Sequence, residues 1–345
     1  MEVLVYEFFL AGGASRSTQR EGNASLLTEG AAMVASVAND LAHLDHVDPV
    51  VMLDRRLEGP DQIGLHQGCQ LAWVDSEQHE QRIFEQLAAT ADWTIVVAPE
   101  WDDILLSRAQ RCLAVGGRLL GPGPDLIRLA ADKITLADYC KTQGLPVPFG
   151  CLLEQDDDLP LEFPYPAILK PRFGAGSAGL RWLENSTDKV VWAPRFAQYR
   201  LEQYCPGIAA SVGLLMGPAG HYVLPPCRQH LSDDGTFQYQ GGSLPMPASL
   251  AERAEVLAHQ VADVLPAGVG YLGLDMVLGE EGTADFLIEV NSRLTTSYVG
   301  LSQLTEGNLA EMMLRVAEGE SIRACFREEP VCFEASGRLL DTRVS

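Results

Sequence analysis

Short apolar runs and helically spaced apolar positions alternate along the first third of the chain. Val3-Leu4-Val5-Tyr6, Val50-Val51-Met52-Leu53-Asp54 and Trp93-Thr94-Ile95-Val96-Val97-Ala98-Pro99-Glu100 are continuous runs that predict buried strands. Between and after them, apolar positions three and four apart predict helices over 26–43, 81–91 and 104–115, and Arg118-Leu119-Leu120-Gly121-Pro122 closes the series. Strands alternating with helices imply a parallel sheet whose functional loops lie at the carboxyl ends of the strands. Glu7, Gly12, Gly13 and Glu100 sit at those ends, although turns there also need glycine for backbone reasons alone.

From Gly121-Pro122-Gly123-Pro124 the texture changes. Asp125 can cap a helix running through Asp132-Lys133 to about Thr142, with Gly144, Pro146 and Pro148 ending it. Tyr165 to Arg172 and Leu180 to Leu183 predict strands on either side of Phe173-Gly174-Ala175-Gly176-Ser177-Ala178-Gly179. That loop satisfies G-x-G-x-x-G, but a strand follows where a dinucleotide fingerprint requires a helix. A strand, glycine-rich loop and strand suit a mobile flap whose N–H groups close over phosphates, with Lys170 and Arg172 at its base. Strands at 200–207, 210–216 and 221–226, a polar loop over 229–242, an amphipathic helix over 249–264 and a last helix over 309–318 follow. Residues after about 320 carry no functional signal, and no repeat appears.

Tyr271 to Leu278 and Phe286 to Val290 predict a β-hairpin around Gly279-Glu280-Glu281-Gly282-Thr283. Glu289 and Asn291 share a face because side chains alternate along a strand. Counting five loop residues sets Leu278 opposite Ala284 and Asp275 opposite Leu287. Asp275 and Glu289 then become diagonal neighbours within reach of one hard cation, and Gly273 faces Glu289 and leaves it room. The alternative is an edge hairpin with its acids turned to solvent.

Composition narrows the function classes. At 345 residues there is room for two or three domains of about 150 residues each, with a cleft between them. The 25 Lys+Arg against 47 Asp+Glu give a net charge of −22, which repels nucleic acids and anionic membranes. Eight cysteines without Cys-x-x-Cys spacing argue against zinc and a disulfide framework and suit a reducing cytoplasm. The N-terminus lacks the features of a signal peptide, and no window approaches the roughly 18 apolar residues of a membrane span. His43-x-x-His46 reads as a solvated helix end rather than a metal site.

The ordered set Asp132-Lys133, Ile168-Leu169-Lys170-Pro171 with its flap, Leu201-Glu202-Gln203-Tyr204, Asp275 and Glu289-x-Asn291-x-Arg293 resembles the ATP-grasp superfamily. The resemblance implies an α/β and α+β fold: an N-terminal parallel-sheet domain over 1–120, a small ATP-grasp subdomain with the flap over 121–200, and a C-terminal subdomain with the Mg²⁺ site over 201–345. It further implies that Lys133, Lys170 and the flap residues Gly174, Gly176, Ser177 and Gly179 hold the phosphates of ATP. Glu202, Gln203 and Tyr204 would form the adenine hinge, the acid taking the amino group and backbone groups reading the ring edge. Asp275, Glu289 and Asn291 would bind Mg²⁺, with Mn²⁺ as a substitute, and Arg293 would stabilise the transferred phosphoryl group. Hard oxygen donors suit that ion, and phosphoryl transfer needs positioning and charge neutralisation, which Arg228 would also supply at the acyl phosphate.

Ser292 stands where the superfamily usually has proline, and Ile208-Ala209-Ala210 stand where many members place the acid that holds the ribose. The first strand with Glu7 and Gly12-Gly13, then Thr28-Glu29-Gly30-Ala31-Ala32-Met33, Ala98-Pro99-Glu100 and above all Asn291 to Gly300, look like the tyramine-glutamate ligase family of methanofuran biosynthesis. The implied activity is ligation of a small-molecule carboxylate to an amine through an acyl phosphate, releasing ADP and phosphate. The partners implied are these two small molecules, with a homo-oligomer left open. Another ATP-grasp amino-acid or peptide ligase, a carboxy-phosphate enzyme and a non-catalytic ATP-binding protein are the alternatives.

Overall fold

The computed structural model describes residues 1–13, 24–57, 63–174, 176–193, 195–280 and 284–341. Strands β1 (Glu2–Glu7), β2 (Asp48–Asp54), β3 (Gln70–Val74) and β4 (Trp93–Val97) form a parallel sheet in the order β3-β2-β1-β4. Helices α1 (Ala24–Ala42), α2 (Glu77–Thr90) and α3 (Ile104–Ala114) cover it. Val3, Val5, Val51 and Leu53 pack with Val34, Val37 and Leu41 of α1, whereas Leu4, Tyr6 and Met52 pack with Phe84 and Leu105 from α2 and α3. Both faces are covered, so the strands read as unbroken apolar runs. Edge strand β3 has only one fully buried residue, Val74, and for that reason carries little sequence signal. Residues 118–122 contribute one parallel bridge, Thr94 to Leu119, rather than a fifth strand.

The expected helix from Asp125 to Thr142 is two helices, α4 (Pro124–Ala131) and α5 (Lys133–Thr142). Asp132 breaks it at φ −96° and ψ 100°, because its carboxylate caps α5 through the Ile134 and Thr135 N–H groups and pairs with Arg172 Nε at 2.8 Å. The break aims Lys133 inward.

Strands β5 (Gly150–Glu154), β6 (Ala167–Pro171), β7 (Arg181–Leu183) and β8 (Gln198–Gln203) form an antiparallel sheet in the order β5-β8-β6-β7 over its own small core. The glycine-rich loop joins β6 to β7; Ala175 lies outside the described residues.

The third sheet comprises β9 (Ile208–Gly217), β10 (Gly220–Val223), β11 (Cys227–Leu231), β12 (Tyr239–Leu244), β13 (Gly270–Leu278) and β14 (Phe286–Asn291). A two-residue pair, β15 (Thr305–Glu306) with β16 (Cys325–Phe326), stands apart, and β17 (Val331–Glu334) and β18 (Leu339–Leu340) extend the large sheet beyond β12. Helix α6 (Ala248–Val264) packs Leu257 and Val261 on Leu214, Leu272 and Leu274. On the opposite face lie α7 (Ser297–Leu304) and α8 (Leu309–Ala317), which share one apolar core with α1 and the first sheet.

Two expectations are corrected here. The stretch 229–242, read as a polar loop, is the β11–β12 hairpin, with loop only over 232–238; Gln229, Ser232 and Tyr239 line a cavity, whereas Asp233, Asp234 and Gln238 are exposed. The Asp275 hairpin is also in a different register. Asp275 lies directly opposite Glu289 and Gly273 opposite Asn291, because Ile288 is an extra, bulged residue before Leu287 pairs with Met276. The tip residues 281–283 lie outside the described residues. Gly273 leaves room for Thr295, since a Cβ there would lie 2.3 Å from its methyl group.

Helix α7 is tied to α1 by Asp40, which accepts from the Tyr298 hydroxyl and Ser302 Oγ, each at 2.9 Å. Tyr298 is fully buried, so Tyr298→Phe strands half of that carboxylate away from water. The expected loss is about 1–3 kcal/mol, read as a lower urea midpoint at unchanged m-value.

Candidate active site

A cavity of about 640 Å³ lies between the three sheets. Its floor is the β13–β14 pair. Asp275 accepts from Asn291 Nδ2 and from Gln229 Nε2, both at 3.0 Å. Burial, then the facing Glu289 charge, pushes Asp275 up to about 6. Burial also works against ionisation of Glu289, yet Lys133, Lys170 and Arg293 outweigh it and hold that carboxylate below its ordinary range. The two acids therefore share the cost of proximity unequally, a charge distribution that a bound cation would relieve.

Lys133, at the start of α5, reaches Glu289 Oε1 at 2.8 Å and the Gly174 carbonyl at 2.9 Å. Lys170, at the base of the flap, reaches Glu202 Oε1 at 2.7 Å, and Arg200 Nε takes the other oxygen of Glu202 at 2.7 Å. Glu202, expected to face the adenine amino group, thus has a cation on each oxygen. Arg200 and Glu202, two residues apart on β8, share a face by strand alternation, which is the sequence signal that could have found this pair. The N–H groups of Gln203 and Tyr204 donate to the Phe149 and Pro166 carbonyls at 2.8 and 3.0 Å. The Cys205 N–H has no backbone acceptor among the described residues, and the Gln203 carbonyl accepts from the Cys205 thiol at 3.7 Å.

The flap lies down on the cavity. Gly176, Ser177 and Gly179 all have positive φ, and the Ser177 hydroxyl donates to the Phe237 carbonyl at 2.9 Å. A Cβ on Gly176 would come within 2.7 Å of Leu26 on α1, so side chains larger than hydrogen would prop the flap away. Gly174 lies at the hinge end and presents its carbonyl to Lys133 rather than its N–H to the cavity.

Arg293 crosses from the metal-facing floor to the first domain, donating through Nε to Glu100 Oε1 at 2.9 Å and through Nη2 to Oε2 at 3.4 Å. Arg228 lines the cavity, is exposed, and makes no ion pair among the described residues. Glu7 lines the cavity and Glu100 meets it through Arg293, whereas Gly12 and Gly13 do not line it. A Cβ on Gly12 would strike Asp54, and one on Gly13 would strike Phe8, so both glycines answer backbone packing. Ser292, in the place of the usual proline, is buried with a hydroxyl that has no partner among the described residues.

Among the described residues no three His, Cys, Asp and Glu side chains cluster as a metal cage. The residues nevertheless fit Mg²⁺: the two carboxylates lie directly opposite each other on rigid strands with the Asn291 amide against Asp275, and this ion normally completes its shell with phosphate and water. The fit to ATP rests on two buried lysines, Lys133 paired with Glu289 and Lys170 paired with Glu202.

Burial pushes Glu7 up to about 8, with the Leu10 and Phe9 N–H groups and Arg293 only partly opposing it. A carboxyl group whose folded value lies above its unfolded one stabilises the fold below about pH 4.5, and that contribution is lost as pH rises through about 8. Thermal stability of wild type is therefore expected to fall more between pH 5 and pH 8 than that of Glu7→Gln; parallel pH profiles would show that the group ionises without cost.

Residues 130–297 match the ATP-grasp domain family, and residues 47–127 match the pre ATP-grasp 3 domain. The chain belongs to the ATP-grasp superfamily. The tyramine–L-glutamate ligase of Methanocaldococcus jannaschii is 21% identical over 327 residues, spanning 93% of this chain and 91% of that protein. A chloroplastic biotin carboxylase of Populus trichocarpa is 26% identical over 262 residues, or 68% of this chain; the match spans 47% of that protein, about half its length. An ATP-grasp superfamily protein from Archaeoglobus fulgidus has the same fold, with a TM-score of 0.70 at 19% identity over 97% of this chain and 92% of that one. No helix among the described residues is long and apolar enough to cross a membrane.

Proposed function

We propose that the protein is an ATP-dependent carboxylate–amine ligase, joining a glutamate-like acid to a tyramine-like amine in the cytoplasmic assembly of a methanofuran-type cofactor. The observation that carries the reading is the convergence in one cavity of Lys170, the facing acids Asp275 and Glu289, and two arginines, with the buried Lys133 paired to Glu289. The full-length likeness to a tyramine–L-glutamate ligase supports the choice of substrates.

Lys133 and Lys170 bind the phosphates and the Cys205 N–H and Gln203 carbonyl receive the adenine edge. Asp275, Glu289 and Asn291 would hold Mg²⁺, which would neutralise phosphate charge. Arg228 orients the substrate carboxylate, whose oxygen attacks the γ-phosphorus and leaves ADP and an acyl phosphate; Arg293 balances the charge on the moving phosphoryl group. The flap excludes water, so that an amine rather than hydroxide takes the acyl group.

ADP release with L-glutamate and tyramine, each omitted in turn, tests the reading. Turnover that needs both supports it. Turnover with other acid–amine pairs alone transfers the site to another ATP-grasp ligase, and turnover with bicarbonate alone makes it a carboxy-phosphate enzyme. ATP binding without any acid-dependent turnover refutes ligase activity.

A further inference from the structure

The wall of the cavity opposite the metal-facing floor is unusual in its charge. It comes from the first domain, which supplies no phosphate-binding residue. Glu7 at the end of β1, 3% exposed, and Glu29 of α1 line this wall, whereas Glu100 after β4, 5% exposed, does not. Glu100 is paired with Arg293. Glu29 accepts from Ser25 Oγ at 2.8 Å and from Thr296 Oγ1 at 3.5 Å, both neutral donors. Glu7 accepts the Leu10 N–H at 2.7 Å, and no cation pairs with it among the described residues. A carboxylate this deeply buried costs several kcal/mol when ionised without a counter-charge. Backbone packing does not require an acid there, since an amide would fill the same volume.

The surroundings specify what would pair with it. Phe9, Leu26 and Met33 line the same wall, and Tyr239 lines the cavity with a hydroxyl that makes no hydrogen bond among the described residues. Glu7 and Glu29 line the wall beside an arginine already paired with Glu100, so the wall attracts a cation and repels a substrate carboxylate. Arg293 stands between this wall and the floor: its charge acts on Glu7 and Glu29 as well as on Asp275 and Glu289. A molecule held by Glu7 and Glu29 would thus lie across Arg293 from the phosphoryl-transfer centre.

We propose that Glu7 and Glu29 form the acceptor subsite, binding the ammonium of a primary amine that has an apolar body and no carboxylate, and that Glu7 takes its proton before attack. The inference rests on the ligase reading above. Glu7 accepts one proton from the ammonium, the freed nitrogen attacks the acyl carbonyl, the C–N bond forms, and the C–O bond to phosphate breaks. The second N–H proton leaves with inorganic phosphate. Glu7 suits the transfer because burial already raises its proton affinity to about 8. The subsite predicts an acceptor preference: an amino acid would bring its own carboxylate against Glu7 and Glu29, whereas its decarboxylated amine would not.

The test separates the two half-reactions. Wild type, Glu7→Gln and Glu29→Gln are assayed with ATP, Mg²⁺ and L-glutamate, first with hydroxylamine to trap the acyl phosphate as hydroxamate, then with tyramine or L-tyrosine as acceptor. For Glu7→Gln, kcat/KM for tyramine is expected to fall about 100-fold or more, as when one partner of a buried charge pair is removed. Hydroxamate formation is expected to change less than about threefold, because hydroxylamine is small and uncharged at neutral pH. Glu29→Gln is expected to raise KM for tyramine about tenfold, the loss of one charge-assisted contact. Wild type should use L-tyrosine at under about one hundredth of the tyramine rate, since like-charge juxtaposition costs several kcal/mol. Unchanged tyramine kinetics in both variants, an equal loss of hydroxamate and amide, or L-tyrosine as good an acceptor as tyramine each overturns the subsite. Absence of hydroxamate and amide in wild type with every acid and primary amine supplied instead overturns the ligase reading on which it stands.

Discussion

Glu289→Gln is expected to lower acid-dependent ATP turnover by about 10²–10³-fold, the loss seen when a single pre-positioned charge is withdrawn from a transition state. The substitution keeps size and shape and removes only the charge. In this structure that charge is shared: Glu289 faces Asp275 across the bulged hairpin and holds Lys133 at 2.8 Å. An amide at this position weakens the oxygen set for Mg²⁺ and leaves the Lys133 ammonium, 8% exposed, with the Gly174 carbonyl as its remaining described partner. The freed lysine remains available to phosphates, so binding of ATP without Mg²⁺ is expected to hold or strengthen while the Mg²⁺ concentration needed for half-maximal turnover rises. Steady-state kinetics across a Mg²⁺ titration, beside equilibrium binding of metal-free ATP, read both effects. Turnover within about tenfold of wild type at saturating Mg²⁺ would remove Glu289 from the metal site, because a direct ligand is not replaced by an amide at so small a loss.

The ease with which this site is read from the chain varies with how local its physics is. Asp275, Glu289 and Asn291 stand out because strand alternation puts acids and an amide on one face of an otherwise apolar hairpin. Their register did not stand out: the bulge at Ile288 inserts one residue, and nothing in Phe286-Leu287-Ile288 marks which of three apolar side chains is extra. Lys133 was legible as a cation beside Asp132, but the helix break that aims it depends on Arg172, forty residues away, turning Asp132 from a helical residue into a cap. The β11–β12 hairpin was lost for a similar reason. Gln229, Ser232 and Tyr239 serve a cavity, and from sequence a polar face toward a cavity and a polar face toward water are the same pattern. Glu7 and Glu100 were legible as acids at strand ends. That one is paired and the other has no counter-cation among the described residues depends on where Arg293 arrives from the far sheet.

Arg293 is the residue on which both walls of the cavity depend, and Arg293→Lys is expected to lower kcat by about 10²–10³-fold, at the lower end of what a charge-stabilising arginine contributes to phosphoryl transfer. The substitution keeps the charge. It removes the planar fork that donates to Glu100 through two nitrogens while its remaining nitrogen donates to the Leu294 carbonyl at 3.2 Å. An ammonium can neutralise Glu100 or reach toward the floor, but its compact charge cannot span both. Because Glu100 and Glu7 are almost fully buried, the first of these is expected to dominate, drawing the lysine back toward the first domain and away from the phosphoryl group. The fold should persist, with a thermal midpoint close to that of wild type, whereas Arg293→Met would leave Glu100 uncompensated and cost about 3–5 kcal/mol of stability. KM for ATP is expected to stay within about threefold, since the lysines and the hinge are untouched and only an interaction made in the transition state is lost. Measuring kcat and KM for ATP in Arg293→Lys separates the cases. A kcat near wild type would mean that charge alone suffices and that the fork serves only to dock the first domain, and a rise in KM for ATP at constant kcat would place Arg293 in ground-state binding instead.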